Sequence, residues 1–427
     1  MISRYESEAM TAIWSDEARL ERWVAVEMAV LSAQVSEGVL PDSAWKQAAN
    51  CPTPTPEQVA ERELETRHDV VAFLDVWGAE FAHLGLTSSD VVETAQSMAL
   101  QRASIVLLRK TLELSHVCHQ HTVKHWNTYR VGRTHGQRGT VDTWGHKMAD
   151  FMYALDRNLV RLTGALEDIS VAKLSGPTGT YADISRDVEI QAAKSLGLLT
   201  VPVASQILMR DSLVHWAHCI TNVTSVCEAI ATEIRLSAHS GVREVDETFA
   251  ESQRGSSSMP HKRNPITAER ICGLARLARG YASAIEPSIV QWHERDIAHS
   301  SVERVALVDL CHVADTILDD TTSLLNGLNV RTNSMYTNVR SNTDVYSHRV
   351  LAALMKAGVS RKDAHAYVHE TARKALLGDL EREVRRTLPT AFPDTFVDFD
   401  DVFSMSASVD GLSDLGDTLR TALRDLI

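Results

Sequence analysis

The chain is poor in residues that interrupt helices. It has 427 residues with 11 prolines, and these are bunched: Pro41, Pro52, Pro54 and Pro56 mark an early linker, and none occurs from Glu57 to Gly176 or from Ser288 to Leu388. From Leu86 to Val131 there is neither glycine nor proline. Long helices are therefore predicted. An unbroken one over Leu86–Val131 is about 69 Å long at ~1.5 Å per residue, and one break shortens it. A basic excess is also missing. Lys and Arg number 43 against 56 Asp and Glu, for a net charge of −13, which argues against a general nucleic-acid binder. An anionic ligand must then be held by a local basic cluster, which screening over roughly 8–10 Å permits. No apolar run approaches the ~18 residues of a membrane span. Met1–Trp14 lacks a signal-peptide core. The six cysteines show no CxxC spacing, which predicts reduced thiols in a cytoplasmic protein without a zinc site or disulfides. GxSxG, Walker A and GxGxxG motifs are absent, which disfavours an α/β-hydrolase, a P-loop enzyme and a Rossmann dehydrogenase.

What is present has helical period. Leu213, Trp216, Ile220, Val223, Cys227, Ile230 and Ile234 alternate spacings of three and four, a bundle seam. Val92, Ala95, Ala99, Ala103 and Val106 repeat it more weakly. Asp90 with Glu93 reads as a capping box opening that helix. Sustained alternation at period two is hard to find. The expected fold is all-α: three helical domains with a central long-helix bundle, over residues 1–87, 88–335 and 336–427. Long apolar seams are buried either by self-association or by the bundle folding on itself.

Several segments carry chemistry. Arg254–Pro265 breaks a helical region with Gly255, Ser256, Ser257, Ser258, Pro260 and Pro265, then concentrates Lys262, Arg263 and Asn264. Such a loop presents N–H groups, hydroxyls and cations to an anion. Arg133-Thr134-His135-Gly136 follows the breaker-free stretch, and a histidine at a turn is either a general acid or base or a capping residue. Arg67-His68-Asp69 combines an anion-binding pair with a carboxylate able to orient the histidine, or is a solvated charge cluster. Thr87-Ser88-Ser89-Asp90 opens a helix, an anion site or a plain cap. His116, Cys118, His119, His121 and His125 cluster on one stretch, and His365 and His369 repeat the four-residue spacing. The first group has no acidic residue within it, and neither has an HExxH pattern, so no metal is expected.

Together these segments resemble the fumarase/aspartase superfamily of lyases. Gly255-Ser256-Ser257-x-Met259-Pro260-x-Lys262-x-Asn264-Pro265 matches its Ser-loop motif, while Arg67–Phe73, Met259–Pro265 and Trp292–Ile297 are similar to the adenylosuccinate branch. The resemblance runs from Arg4-Tyr5 through Gly85–Val92, Gly132–Gly136, Gly179–Ala182 and Ser205-Gln206. It implies release of fumarate from N-succinyl purine nucleotides, no cofactor, and a homotetramer with shared active sites. It further implies Ser256 as base, His135 as acid, Glu269 as the partner of that histidine, and His68 on the leaving-group side. Lys262, Ser257 and Asn264 then stabilise the alkoxide and the succinyl carboxylate, and Arg4, Tyr5, Ser301 and Arg304 hold phosphate with Arg295 nearby. Arg67, Asp69, Thr87, Ser88 and Gln206 contact the rest. Without a basic loop around it, a serine hydroxyl is far too weak a base near neutral pH.

The chain departs from the family pattern in two places. After Gly136 it reads Gln137-Arg138-Gly139-Thr140-Val141-Asp142-Thr143 where an Ala-x-Pro-Thr-like stretch is common. Thr343-Asp344 stands where a glycine is usual, with His348 in place of a common glutamine. These leave open a lyase of another N-succinyl compound. An inactive helical scaffold is disfavoured because Ser256, His135 and Lys262 are all kept.

Overall fold

The breaker-poor stretches form five long helices: Ser88–Lys124, Trp144–Ile169, Asp211–Ala238, Ile266–Ile285 and Ala298–Asn326. The structure is a computed structural model and describes residues 1–248, 258–259, 261–375 and 379–415. Every residue of the Leu213–Ile234 seam is buried, as the three-four spacing predicts. The fold is all-α with a few short strands. Among the described residues, no helix is long and apolar enough to cross a membrane.

Three local expectations are corrected. The stretch from Leu86 to Val131 is not one helix. It ends at Lys124, and the carbonyls of His125 and Thr128 take the N–H groups of Gly145 and Trp144, each at 2.9 Å. Gly145 makes this approach possible, because a Cβ there falls 2.6 Å from both Thr122 O and Trp126 Cα. Second, the chain then forms an antiparallel hairpin, β1 (Tyr129–Thr134) and β2 (Gln137–Thr143), with a register shift between Val131 and Arg133. Third, Asp90 and Glu93 do not form a capping box. The helix starts at Ser88, and Asp90 Oδ2 accepts the Thr87 N–H at 2.7 Å. Glu93 instead holds Arg210.

The chain divides into two compact units. One comprises Met1–Glu113, Leu155–Ala229 and Arg270–Thr321; the other comprises Leu114–Ala154, Ile230–Glu269 and Thr322 onward. In the first unit, Trp216 Nε1 donates to Ser104 Oγ at 2.7 Å, and Arg279–Glu228 and Arg270–Asp320 pairs tie neighbouring long helices at 2.6 Å. A second apolar cluster there packs Trp23, Phe73 and Trp77 against Leu20, Val70 and Ala72. In the second unit, Val131 and Val141 of the hairpin pack on Val339, Val345 and Tyr346. A separate core centres on Val350, Leu354, Leu380 and Val384.

Candidate active site

In the first unit, a capping box at Thr55 opens the Pro56–Thr66 helix, and Arg67 ends it in the left-handed region at φ 54°. His68 is extended and leads directly into the Asp69–Trp77 helix. Phe73, wedged between Trp23 and Trp77 with ring centroids 5.4 and 5.7 Å away, anchors that helix from beneath. Arg67 and His68 are thereby left exposed and Asp69 half-buried. His68 Nε2 lies 3.4 Å from Ser88 Oγ and its Nδ1 3.5 Å from Asp69 Oδ1. Asp69 Oδ2 accepts from Arg304 Nη2 at 2.5 Å. Burial opposes the charge on Asp69, yet the Arg304 hydrogen bond and charge hold its carboxyl below the usual range. The sequence-predicted Ser88, His68, Asp69 and Arg304 thus form one polar chain, with Thr87 at its edge.

The Ala298–Asn326 helix carries Ser301 and Arg304 exposed on one stretch. Ser301 Oγ donates back to Ala298 O at 3.3 Å, and Ser300 Oγ accepts from Arg304 Nε at 3.4 Å. Arg4 and Tyr5 lie on an N-terminal turn seated on the same helix: Thr316 Oγ1 donates to Tyr5 O at 3.3 Å, and His312 Nδ1 accepts from Ser7 N at 3.1 Å. Arg295 donates to Gln206 Oε1 at 3.1 Å, while its Nε is buried without a partner among the described residues.

Buried charge fixes these segments, and the sequence reading did not foresee it. Arg210 lies between Glu93 (2.5 Å) and Glu303 (2.7 Å), the residue before Arg304. Lys173 and Asp90, both fully buried, pair at 2.6 Å, and Asp90 also accepts the Ser175 and Gly176 N–H groups. Glu27, fully buried, accepts both the backbone N–H and Nδ1 of His83 at 2.8 and 2.6 Å, which holds the loop ahead of Thr87. A charged residue in a sequence ordinarily signals solvent, so only tertiary pairing reveals these contacts.

In the second unit, His135 and Gly136 form the hairpin turn at φ 55° and 73°. Positive φ at both central residues is the twist that a two-residue hairpin requires. His135 is exposed at the tip. Below it, Arg133 makes a bidentate pair with the fully buried Glu244 at 2.9 and 3.0 Å, and Asn338 Nδ2 donates to the same carboxylate at 2.9 Å. Glu247 caps the Ile266–Ile285 helix by accepting the Thr267 and Ala268 N–H groups at 3.1 and 2.8 Å. That helix carries Glu269, and Lys262 and Asn264 lead into it. Lys262 and Glu269 are exposed and Asn264 half-buried. Among the described residues, His135 and Glu269 are not hydrogen-bonded to each other. Ser256 and Ser257 lie outside the described residues.

His121, near the end of the Ser88–Lys124 helix, and His125, just beyond it, have partners of their own. His121 Nε2 lies 2.8 Å from Leu325 O and His125 Nδ1 3.1 Å from Thr128 Oγ1. Burial, then the charges of His121 and Lys124, pushes the His125 imidazole down to about 4.

A family described as lyases matches residues 4–280. The chain is 39% identical to an adenylosuccinate lyase of Synechocystis over 382 residues, covering 88% of this chain and 89% of that one. It is 37% identical to an adenylosuccinate lyase of Thermotoga maritima, covering 88% of each. In fold it is similar to the crystal structure of β-carboxy-cis,cis-muconate cycloisomerase from Acinetobacter calcoaceticus, with a TM-score of 0.85, 22% identity and 98% of each chain covered.

Proposed function

The chain belongs to the adenylosuccinate lyase family, and on that premise we propose that it eliminates fumarate from adenylosuccinate, giving AMP, and from the succinylated aminoimidazole carboxamide ribotide in purine nucleotide biosynthesis. The observation that carries this reading is the 37–39% identity to adenylosuccinate lyases over 88% of the chain; the lyase-family match from residue 4 to 280 includes Arg4 and Glu269 and every motif between them.

The reaction breaks one C–N bond and moves one proton off carbon and one onto nitrogen. It is redox-neutral and needs a base, an acid and stabilisation of charge on a carboxylate. Ser256 takes the proton from the carbon next to the succinyl carboxylate. Lys262 and Asn264 hold that carboxylate as its charge grows, with Ser257 and the loop N–H groups stabilising the serine alkoxide. His135 gives its proton to the departing nitrogen, and Glu269 fixes its tautomer. His68, oriented by Asp69 and touching Ser88, assists at the leaving group. Arg304, Arg4, Tyr5 and Ser301 hold the phosphate, Arg295 and Gln206 lie beside it, and Arg67 and Thr87 complete the succinyl and nucleotide contacts.

The enzyme acts as a homotetramer with active sites shared among subunits, in the cytoplasm. The long helices carry apolar side chains exposed in the single chain, among them Val160 at 75%, Leu112 at 60% and Leu236 at 62%, and burial of such residues in a symmetric assembly supports the oligomer. A lyase of another N-succinyl compound is the second reading, favoured by the departures at Gln137–Thr143 and Thr343-Asp344.

The test is turnover of adenylosuccinate and, separately, of the succinylated ribotide, with fumarate followed by chromatography. Release from both is expected. Release from neither, from a folded tetramer, moves the assignment to the second reading. Mixing Ser256→Ala with His135→Ala subunits under confirmed exchange is expected to restore activity, and no recovery counts against shared sites.

A further inference from the structure

We propose that Arg138 and Asp344 form a clamp that positions His135, a role that rests on the reading of His135 as the acid. The turn that carries His135 is exposed and closed only by the Thr134–Gln137 pair. The next rung sets Arg133 directly across from Arg138. Two guanidinium groups facing each other repel and would splay the tip. Each is instead drawn to a carboxylate on a different element. Arg133 holds Glu244, and Arg138 makes a fork on Asp344, with Nη2 to Oδ2 at 2.7 Å and Nε to Oδ2 and Oδ1 at 3.1 and 3.2 Å.

Asp344 stands on a fixed base. It lies in the short Thr343–Tyr346 turn, whose Val345 and Tyr346 are 0% and 2% exposed and pack on Val131 and Val141 of the hairpin. Thr343 Oγ1 also accepts the Glu381 N–H at 2.9 Å. The two arms of the clamp therefore pull the last long rung in defined directions, and a planar fork restricts orientation more than a single contact does.

Both partners are half-exposed, Arg138 at 45% and Asp344 at 31%. Exposed pairs add little to fold stability, so the clamp's effect is on geometry. This separates it from a merely structural pair. Small misplacement of an acid costs rate steeply, while substrate binding, which His135 does not dominate, stays as it was.

The experiment is steady-state kinetics with adenylosuccinate on Arg138→Ala, Asp344→Ala, the double alanine variant and Arg138→Lys, with thermal unfolding measured on each. Arg373→Ala, which breaks the exposed Arg373–Glu370 pair, is the control and keeps the wild-type kcat. Each single alanine variant is expected to lose about tenfold in kcat, with KM little changed and an unfolding temperature near wild type. The double variant falls no further than the worse single one, because one interaction has been removed twice. Arg138→Lys recovers part of the loss, since an ammonium supplies the charge without the fork. Unchanged kcat in both single variants, additive losses in the double, or a fall in kcat matched by a fall in unfolding temperature each overturns the clamp. His135→Ala is run alongside. Wild-type turnover by that variant overturns the acid assignment itself, whereas its inactivation beside fully active clamp variants overturns only the clamp.

Discussion

Replacing Arg210 by methionine tests how the segments that carry the proposed phosphate-binding residues are held. Arg210 is 2% exposed, and its two partners, Glu93 and Glu303, are each 5% exposed. Methionine approximates the volume and leaves two carboxylates buried without their cation. Removing one partner of a buried pair typically costs ~3–5 kcal/mol. Unfolding shifts by about 2–4 °C per kcal/mol in units of this size, so a loss of about 10 °C is expected at fixed protein concentration and scan rate. The sign with pH is also set. In the native protein, burial raises Glu93 but Arg210 outweighs it and holds the carboxyl below its usual range. The pair's stability is therefore present above the unfolded value of about 4.3 and lost as pH falls through the folded one. Without Arg210, burial is the largest influence left on Glu93 and its carboxyl rises. The penalty in Arg210→Met should then be largest near pH 8 and shrink toward pH 5 as the Glu93 carboxyl takes up a proton. His299 is kept low by burial, then by the charge of Arg210, while Glu303 and Glu93 pull the other way. In the variant it protonates more readily and adds to the recovery. Because Glu303 precedes Arg304, KM for the nucleotide should rise as well. An unfolding temperature within about 1 °C of wild type, or a penalty independent of pH, would falsify the reasoning.

Two further outcomes follow from the helix–hairpin junction. Gly145→Ala places a Cβ 2.6 Å from backbone atoms at Thr122 and Trp126, which cannot yield as a side-chain tip can, so unfolding by heat should come at least several degrees earlier; a neutral effect would mean the junction adjusts freely. His125, pushed down to about 4, is neutral in the native state but charges in the unfolded chain below its ordinary value near 6.5, so stability is full above that value and lost as pH falls toward 4. His125→Asn should flatten that acid limb, and an unchanged limb would assign the loss elsewhere.

The helical architecture was legible because it is written in composition and period. A stretch without glycine or proline, and a seam spaced three and four apart, have few other ways to fold in water. The hairpin was not legible, and Arg130 shows why. It is 4% exposed as the second residue of β1, paired with Glu233 at 2.6 Å and with Asp142 at 3.3 Å. A buried arginine reads as polar, and the register shift beside it breaks the alternation that marks a strand. Candidate residues were legible where motif carried them: Ser88, His68, Asp69 and Arg304 do converge. The residues that hold them, Arg210, Lys173 and Glu27, were not, because a buried charge looks in sequence like a surface one.

These same pairs bear on how an acidic chain is suited to an anionic substrate. Many of the carboxylates do not face solvent as free charge. Asp90 is spent on Lys173 and two backbone N–H groups, Glu93 and Glu303 on Arg210, Glu244 on Arg133 and Asn338, and Glu247 on a helix N-terminus. Each acts at short range inside the protein, where its field is neutralised by its partner. Arg4, Arg67, Lys262 and Arg304 are by contrast exposed. Net charge is a sum over the whole chain, but a bound phosphate or carboxylate responds to charges within about a Debye length. The acidic excess and the basic site are therefore compatible. On the proposed assignment, a cation fixed by a carboxylate, as Arg304 is by Asp69, meets the substrate already oriented, without the ordering cost that a free side chain on a soft loop would incur.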